Sequence, residues 1–206
     1  MTITLYQHPL SGHSHRVRTM LSILGLQHEV RDVDLAGGEH KQAEFLNMNP
    51  FGQVPVLRDE SRTLSDSNSI LVYLASEYDE TGTWYPMDAE RRAEVQKFLS
   101  VAAGPVASGP AAARLVNVFG AGLDHAYAKL VAANILNILN DHLENRDWLV
   151  GAGPTIADIA NYAYVAHAPE GDVSLTPYPN IRNWLGRIEA IPGFEPMQTT
   201  AVGLAA

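Results

Sequence analysis

The stretch NPFGQVPVL, residues 49–57, decides how the chain folds. Val54 and Val56 are spaced as in a strand, yet Pro55 stands between them. Proline brings no backbone N–H to a ladder, so it belongs at a strand end or edge, or serves another purpose. In the usual trans form this is simply a proline at a strand end. A cis bond after Val54 would instead turn that residue's N–H and C=O out of the sheet. There they could pair with a peptide-like ligand, as one extra strand residue would. The residues alone leave both readings open.

Outward from this stretch the pattern is α/β. Residues 2–6, TITLY, alternate polar and apolar as a half-buried strand does, and HPLSG follows as a loop. From Ser14 onward Val17, Met20, Leu21 and Leu24 recur at helical spacing, and Gly25 supplies a stop. Residues 28–35 read as a second strand, 40–47 as a short helix ended by Pro50, and Val54–Leu57 as a third strand. A turn over 58–62 leads to a short fourth strand at Thr63-Leu64, and Ser65–Tyr78 reads as a helix with Ile70, Leu71 and Leu74 on one face. The order β-α-β-α-β-β-α makes a compact unit over residues 1–78, with one βαβ crossover and a closing hairpin.

Residues 79–88, DETGTWYPMD, have turn chemistry and no period, and read as a linker. Residues 89–206 then show helical patterns only, at 89–103, 123–145, 155–168 and 180–190. GPVASGP at 104–110 sets two Gly-Pro pairs in an apolar run, so the helix there must bend, break or restart. The expected fold class is an α/β domain followed by an all-helical domain.

Composition narrows the function. The 206 residues carry 14 basic and 23 acidic side chains, a net charge of -9, and 46% hydrophobic residues. Neither part is basic: residues 1–78 hold 6 basic and 9 acidic residues, leaving 8 and 14 for the rest. A nucleic-acid partner is therefore not expected. The chain has no cysteine, which excludes disulfides, thiolate metal sites and a protein thiol nucleophile. No stretch approaches the ~18 apolar residues of a membrane span. The N-terminus lacks a basic stretch followed by an apolar run, so neither membrane nor secretion signal is expected. The expected location is the cytoplasm. Eight histidines invite a metal, but His8, His13 and His15 follow no ligand spacing, and no metal is expected. Ser11 with His13 could suggest a hydrolase, yet no G-x-S-x-G elbow exists.

Three loops carry the chemistry. In HPLSGHSHRVR, residues 8–18, Ser11 lies between a strand end and a helix start. Its hydroxyl could donate to a thiolate or other anion at the helix N-terminus, or Ser11 or Ser14 could be a plain N-cap. In LSDSNSILVYL, residues 64–74, Asp66, Ser67 and Ser69 open a helix. Asp66 could take an ammonium while the Ser67 hydroxyl and the helix N–H groups take a carboxylate; the alternative is capping by Ser65 or Asp66. NPFGQVPVL is the third.

With the GGEHK turn at 37–41, these loops resemble the cytosolic glutathione transferases of the serine type. GGEHKQAEFLNMNPFGQVPVL is similar to the Phi-class pattern, HPLSGHSHRV to its serine loop, and SDSNSILVYLA to its Glu/Gln–Ser helix start. PTIADIANYA resembles the family's buried helix, with a capping box at Thr155 and Asp158. The second domain is closer to bacterial members. The resemblance implies a thioredoxin-like first domain, a cis Val54–Pro55 bond, and glutathione as co-substrate with no other cofactor. It implies that Ser11 holds the sulfur, Val54 the cysteinyl backbone, His40 and Lys41 the glycyl carboxylate, and Asp66 and Ser67 the γ-glutamyl end. Gln53 would lie near the tripeptide backbone. Asp66 is one methylene shorter than the family's usual residue. The second domain would carry the pocket for a small electrophile, and the protein would be a homodimer.

For that pocket, Leu10 and His13 are candidates from the first domain, with His13 alternatively a helix cap. Ala107 and Ala111 would leave it open if they face inward. Arg114 would either hold an anionic substrate or be an ordinary surface arginine. Trp84, Trp148 and Trp184 read as core or linker packing. The function expected is conjugation of the glutathione thiolate to an electrophile. The alternatives are glutathione-dependent peroxide or disulfide reduction, and a non-catalytic transferase-like binding protein.

Overall fold

A computed structural model describes residues 3–201 of the chain. Among these residues, the first unit comprises 3–82 and 191–198, the second 83–190 and 199–201.

In the first unit, β1 (Ile3–Gln7) runs parallel to β2 (His28–Asp32) and antiparallel to β3 (Val56–Asp59), which pairs with β4 (Arg62–Ser65). The sheet order is β2-β1-β3-β4. The helices are α1 (Gly12–Ile23), α2 (Ala43–Met48) and α3 (Ser67–Tyr78), with a 3-10 turn at Glu39–Lys41. This is the mixed sheet with a parallel crossover and a terminal hairpin that the sequence pattern predicts. Alternation along β1 sorts its side chains between two faces. Tyr6 packs beside a buried cluster of Val33, Phe45 and Val56. Leu5 points the other way and is fully buried, as are Val17, Met20 and Leu21 of α1 and Ile70, Leu71 and Leu74 of α3. Helices α1 and α3 pack against each other, which sets their N-terminal ends side by side.

The second unit holds α4 (Ala89–Ala103), α5 (Ala112–Phe119), α6 (His125–His142), α7 (Ile156–Ala166) and α8 (Pro179–Glu189). GPVASGP does interrupt the helix. After Gly104 the backbone passes through a wide π-helical turn, Ala107–Ala111, with Pro110 inside it. Gly109 has its own reason: a Cβ there would lie 2.8 Å from the backbone nitrogen of Ala132 on α6. Only a residue without a side chain lets the two backbones approach so closely.

The chain end departs from the expected domain division. Residues 191–198, expected in the helical domain, group with the first unit. The backbone carbonyl of Glu195 pairs with His15 Nε2 at 2.7 Å and accepts from Thr19 Oγ1 at 3.3 Å. Phe194 meets the His15 ring edge-on, and Glu195 pairs with Arg18. These contacts come from side chains on α1, and no local sequence pattern announces them.

Candidate functional site

Ser11 is the N-cap of α1, its backbone extended (φ -87°, ψ 118°), and its Oγ accepts from the Ser14 N–H at 3.2 Å. The capping reading therefore holds, yet it uses only the oxygen's acceptor side. No described residue accepts the Ser11 hydroxyl hydrogen. The residue is half-buried. Helix start, free donor and partial exposure together make a place for an anion.

Two residues on, His13 is half-buried, and its Nδ1 lies 3.2 Å from Ser67 Oγ. Burial, and then the charge of Arg16, hold the imidazole down to about 3, so it is neutral at physiological pH. His13 is not the cap of α1, since Ser11 is. Leu10 lies in the same loop, half-buried, with its N–H donating to His8 Nδ1.

The start of α3 follows the same design. Asp66 is exposed and adopts the left-handed φ of 69°, unusual for a residue with a side chain. Its Oδ1 accepts from the Ser69 N–H at 2.9 Å and caps the helix. Ser67, the first helical residue, is 3% exposed. The structure thus brings Ser67 to His13 across the α1–α3 contact.

The third loop is ordered by a residue that the motifs did not single out. Asn49 is 2% exposed; its Nδ2 donates to the Gln53 carbonyl at 2.8 Å and its Oδ1 accepts from the Phe51 N–H at 3.1 Å. An asparagine ahead of Pro50 and Gly52 is a turn signal that could have flagged it. Gln53 itself is exposed. The Val54–Pro55 peptide is cis, as the resemblance implies. The paired ladder begins only at Val56. Lys41 Nζ donates to the Gly52 carbonyl at 3.2 Å, so the turn carrying His40 and Lys41 rests on this loop. A Cβ on Gly52 would meet the His40 carbonyl at 2.8 Å, and its φ of 57° also suits glycine.

Arg16 was missed as well. It is 1% exposed, and its Nη1 donates to Ser67 Oγ at 3.1 Å and to Asn68 Oδ1 at 2.8 Å. Its place four residues before Met20, on the apolar stripe of α1, is the one hint that the sequence offers.

The remaining candidates belong to the second unit. Ala107 is half-buried and Ala111 is 4% exposed. Arg114 corrects one of the two sequence readings. It is no surface arginine, being 1% exposed, and its guanidinium is engaged: Nε donates to Glu170 Oε2 at 2.5 Å. A buried cation requires such a partner. Glu170 also accepts from Thr200 N and Oγ1 and pairs with His167 Nδ1. Burial alone would raise its pKa, but these bonds, with Arg114, outweigh it and hold the carboxyl at about 2.

The "Glutathione S-transferase, N-terminal domain" profile matches residues 1–76, and the "Glutathione S-transferase, C-terminal domain" profile matches residues 126–192. The chain is 34% identical to glutathione S-transferase 3 of Zea mays over 204 residues, covering 94% of this chain and 91% of that one. It is 31% identical to glutathione S-transferase theta-2 of Homo sapiens, covering 95% and 84%. A crystal structure of a glutathione S-transferase from Pseudomonas fluorescens Pf-5 superposes with a TM-score of 0.89 at 31% identity, over 96% of this chain and 99% of that one.

Proposed function

Because the chain belongs to the glutathione S-transferase family, we propose that it adds the thiolate of bound glutathione to a small electrophile, with Ser11 holding the sulfur. The observation that carries this reading is the state of Ser11: its oxygen is occupied as a cap while its hydrogen is left to donate.

The magnitudes suffice. A free thiol has a pKa near 8.5, so only a few per cent is thiolate at pH 7. Lowering it by about 2 units takes roughly 2.7 kcal/mol of stabilisation specific to the anion. One hydrogen bond to a charged group supplies about 1.5–3 kcal/mol. The start of α1 adds about 0.3–1 kcal/mol through its dipole. No general base is required, and holding the sulfur beside the electrophile supplies proximity.

The rest of the tripeptide is assigned to match. The Val54 backbone, which precedes the β3 ladder, takes the cysteinyl N–H and C=O, with Pro55 and Gln53 beside it. His40 and Lys41 take the glycyl carboxylate. Asp66 takes the γ-glutamyl ammonium through its free carboxylate oxygen, and Ser67 the carboxylate. Leu10, Ala107 and Ala111 are electrophile-side candidates, and neutral His13 adds no charge there. Arg114, paired with Glu170 through Nε, is the candidate for an anionic group of the electrophile.

We assign the protein to the cytoplasm and to a homodimer. Among the described residues no helix is long and apolar enough to cross a membrane. Phe51 is 76% exposed on a loop pinned by Asn49, a surface that a second copy could cover. Light scattering tests the dimer. Calorimetry with glutathione, followed by conjugation of an aryl halide, tests the function. Hydroperoxide and mixed-disulfide assays run alongside separate conjugation from reduction. Absence of glutathione binding would leave the chain a transferase-like protein without this chemistry.

A further inference from the structure

Helix α1 holds a buried cation that the conjugation chemistry above does not use. The Arg16 guanidinium lies against the first turn of α3 and donates from one nitrogen to two successive residues, Ser67 and Asn68. The Ser67 oxygen lies between this donor and the His13 ring. Ser11, five residues before Arg16, starts the same helix.

We propose that Arg16 is a positioning residue for the γ-glutamyl end of glutathione. It acts through Ser67 and Asn68, sets the start of α3 against α1, and lends positive charge to the carboxylate held there. This rests on the glutathione reading above.

Three physical points support it. A guanidinium is a rigid planar donor, so bonds to consecutive residues fix direction as well as distance, which a lysine would do less well. Donation into the Ser67 oxygen uses one of its lone pairs and polarises its O–H, making it a better donor to an incoming carboxylate. A cation in a water-poor setting acts on a nearby anion more strongly than one at the surface. The geometry adds a consequence. Ser11 is fixed to α1 and Ser67 to α3, so whatever holds the two helix starts together also sets the separation of the groups that would grip the two ends of the γ-glutamyl-cysteine portion.

The test uses the full chain with Arg16→Met, Arg16→Lys and Asn68→Ala, an aryl halide, and two thiols: glutathione and cysteinylglycine, which lacks the γ-glutamyl group. Calorimetry of the unaltered protein with glutathione comes first. In Arg16→Met the KM and Kd for glutathione should rise about tenfold, the scale of one charge-assisted hydrogen bond. The kcat at saturation and the kinetic pKa of the bound thiol should hold, and the constants for cysteinylglycine should not change. Arg16→Lys should recover part of the loss, and Asn68→Ala should show a smaller loss of the same kind. Should Arg16→Met not fold, the other two variants carry the test. Equal losses for both thiols would mean a merely structural arginine and overturn the proposal. So would unchanged glutathione affinity in Arg16→Lys and Asn68→Ala. If the unaltered protein does not bind glutathione, the underlying reading fails first and takes this one with it.

Discussion

Three helix starts, one in the second unit and two in the first, use the same kinds of capping residue and leave them in different states. At the start of α7 in the second unit, Thr155 accepts from the Ala157 N–H and donates to Asp158. Asp158 is fully buried and accepts four hydrogen bonds, from the N–H groups of Leu149 and Thr155, the Thr155 hydroxyl and the Trp184 indole. Both Asp158 oxygens are saturated, and nothing is left for a ligand. At the start of α1, Ser11 accepts one bond and keeps its hydrogen. At the start of α3, Asp66 caps with one oxygen and exposes the rest. A capping residue whose valences are all met is structure. One left with an unused donor or acceptor keeps the capacity to bind, which is what the proposed function draws on.

The largest effect should come from breaking the saturated start. Asp158→Ala leaves three buried donors, two backbone N–H groups and an indole, without partners. At about 1–3 kcal/mol each, the loss should be at least ~3 kcal/mol. Ser11→Ala removes only a cap, worth about 1 kcal/mol. Urea midpoints measure both, and equal losses would erase the contrast.

Next in size is turnover. Ser11→Ala should lower kcat with an aryl halide by about one to two orders of magnitude, from the lost hydrogen bond to the thiolate. Full activity in a folded variant would remove Ser11 from the chemistry.

Acid stability sharpens the same division within the second unit. The Glu170 carboxyl has its folded pKa lowered from 4.5 to about 2. A depressed carboxylate contributes stability that is fully present above the unfolded value and lost as pH falls through the folded one. The melting temperature should therefore decline between pH 4.5 and about 2. Glu170→Gln should be less stable at neutral pH and show a flatter acid decline. An equally steep decline in that variant would place the acid sensitivity elsewhere.

The smallest effect concerns Asp66. Asparagine caps a helix as well as aspartate does, so Asp66→Asn should leave stability unchanged. It should weaken glutathione binding by about two- to fivefold, the scale of an exposed ion pair. A variant that loses stability but not affinity would make Asp66 structure alone, like Asp158.

Element types were legible because they depend on near neighbours in the chain. Helical spacing from Val17 to Leu24, the Thr155–Asp158 capping box and the break at GPVASGP all rest on local chemistry, and all correspond to features of the fold. Strand ends were less so: β3 starts at Val56 rather than Val54, because Pro55 precedes the ladder. Three features lay beyond local pattern. Arg16 reads as one more charge on a helix until α3 arrives beside it. Arg114 reads as a surface arginine until Glu170, 56 residues away, meets it. Residues 191–198 read as the tail of the helical domain until α1 offers His15 and Thr19 to their backbone.

The amino-acid order alone determined which segments become helix or strand, the two-part organisation, and the residue types presented at each loop. Backbone preference and hydrophobic period act over a few residues, so they can be read along the chain. Only the tertiary structure decided which capping groups are used up and which remain open, and which buried charge is matched by a carboxylate or turned toward a helix start. Those outcomes depend on donors and acceptors from distant segments meeting at hydrogen-bond distance, and water is excluded only once the segments have packed.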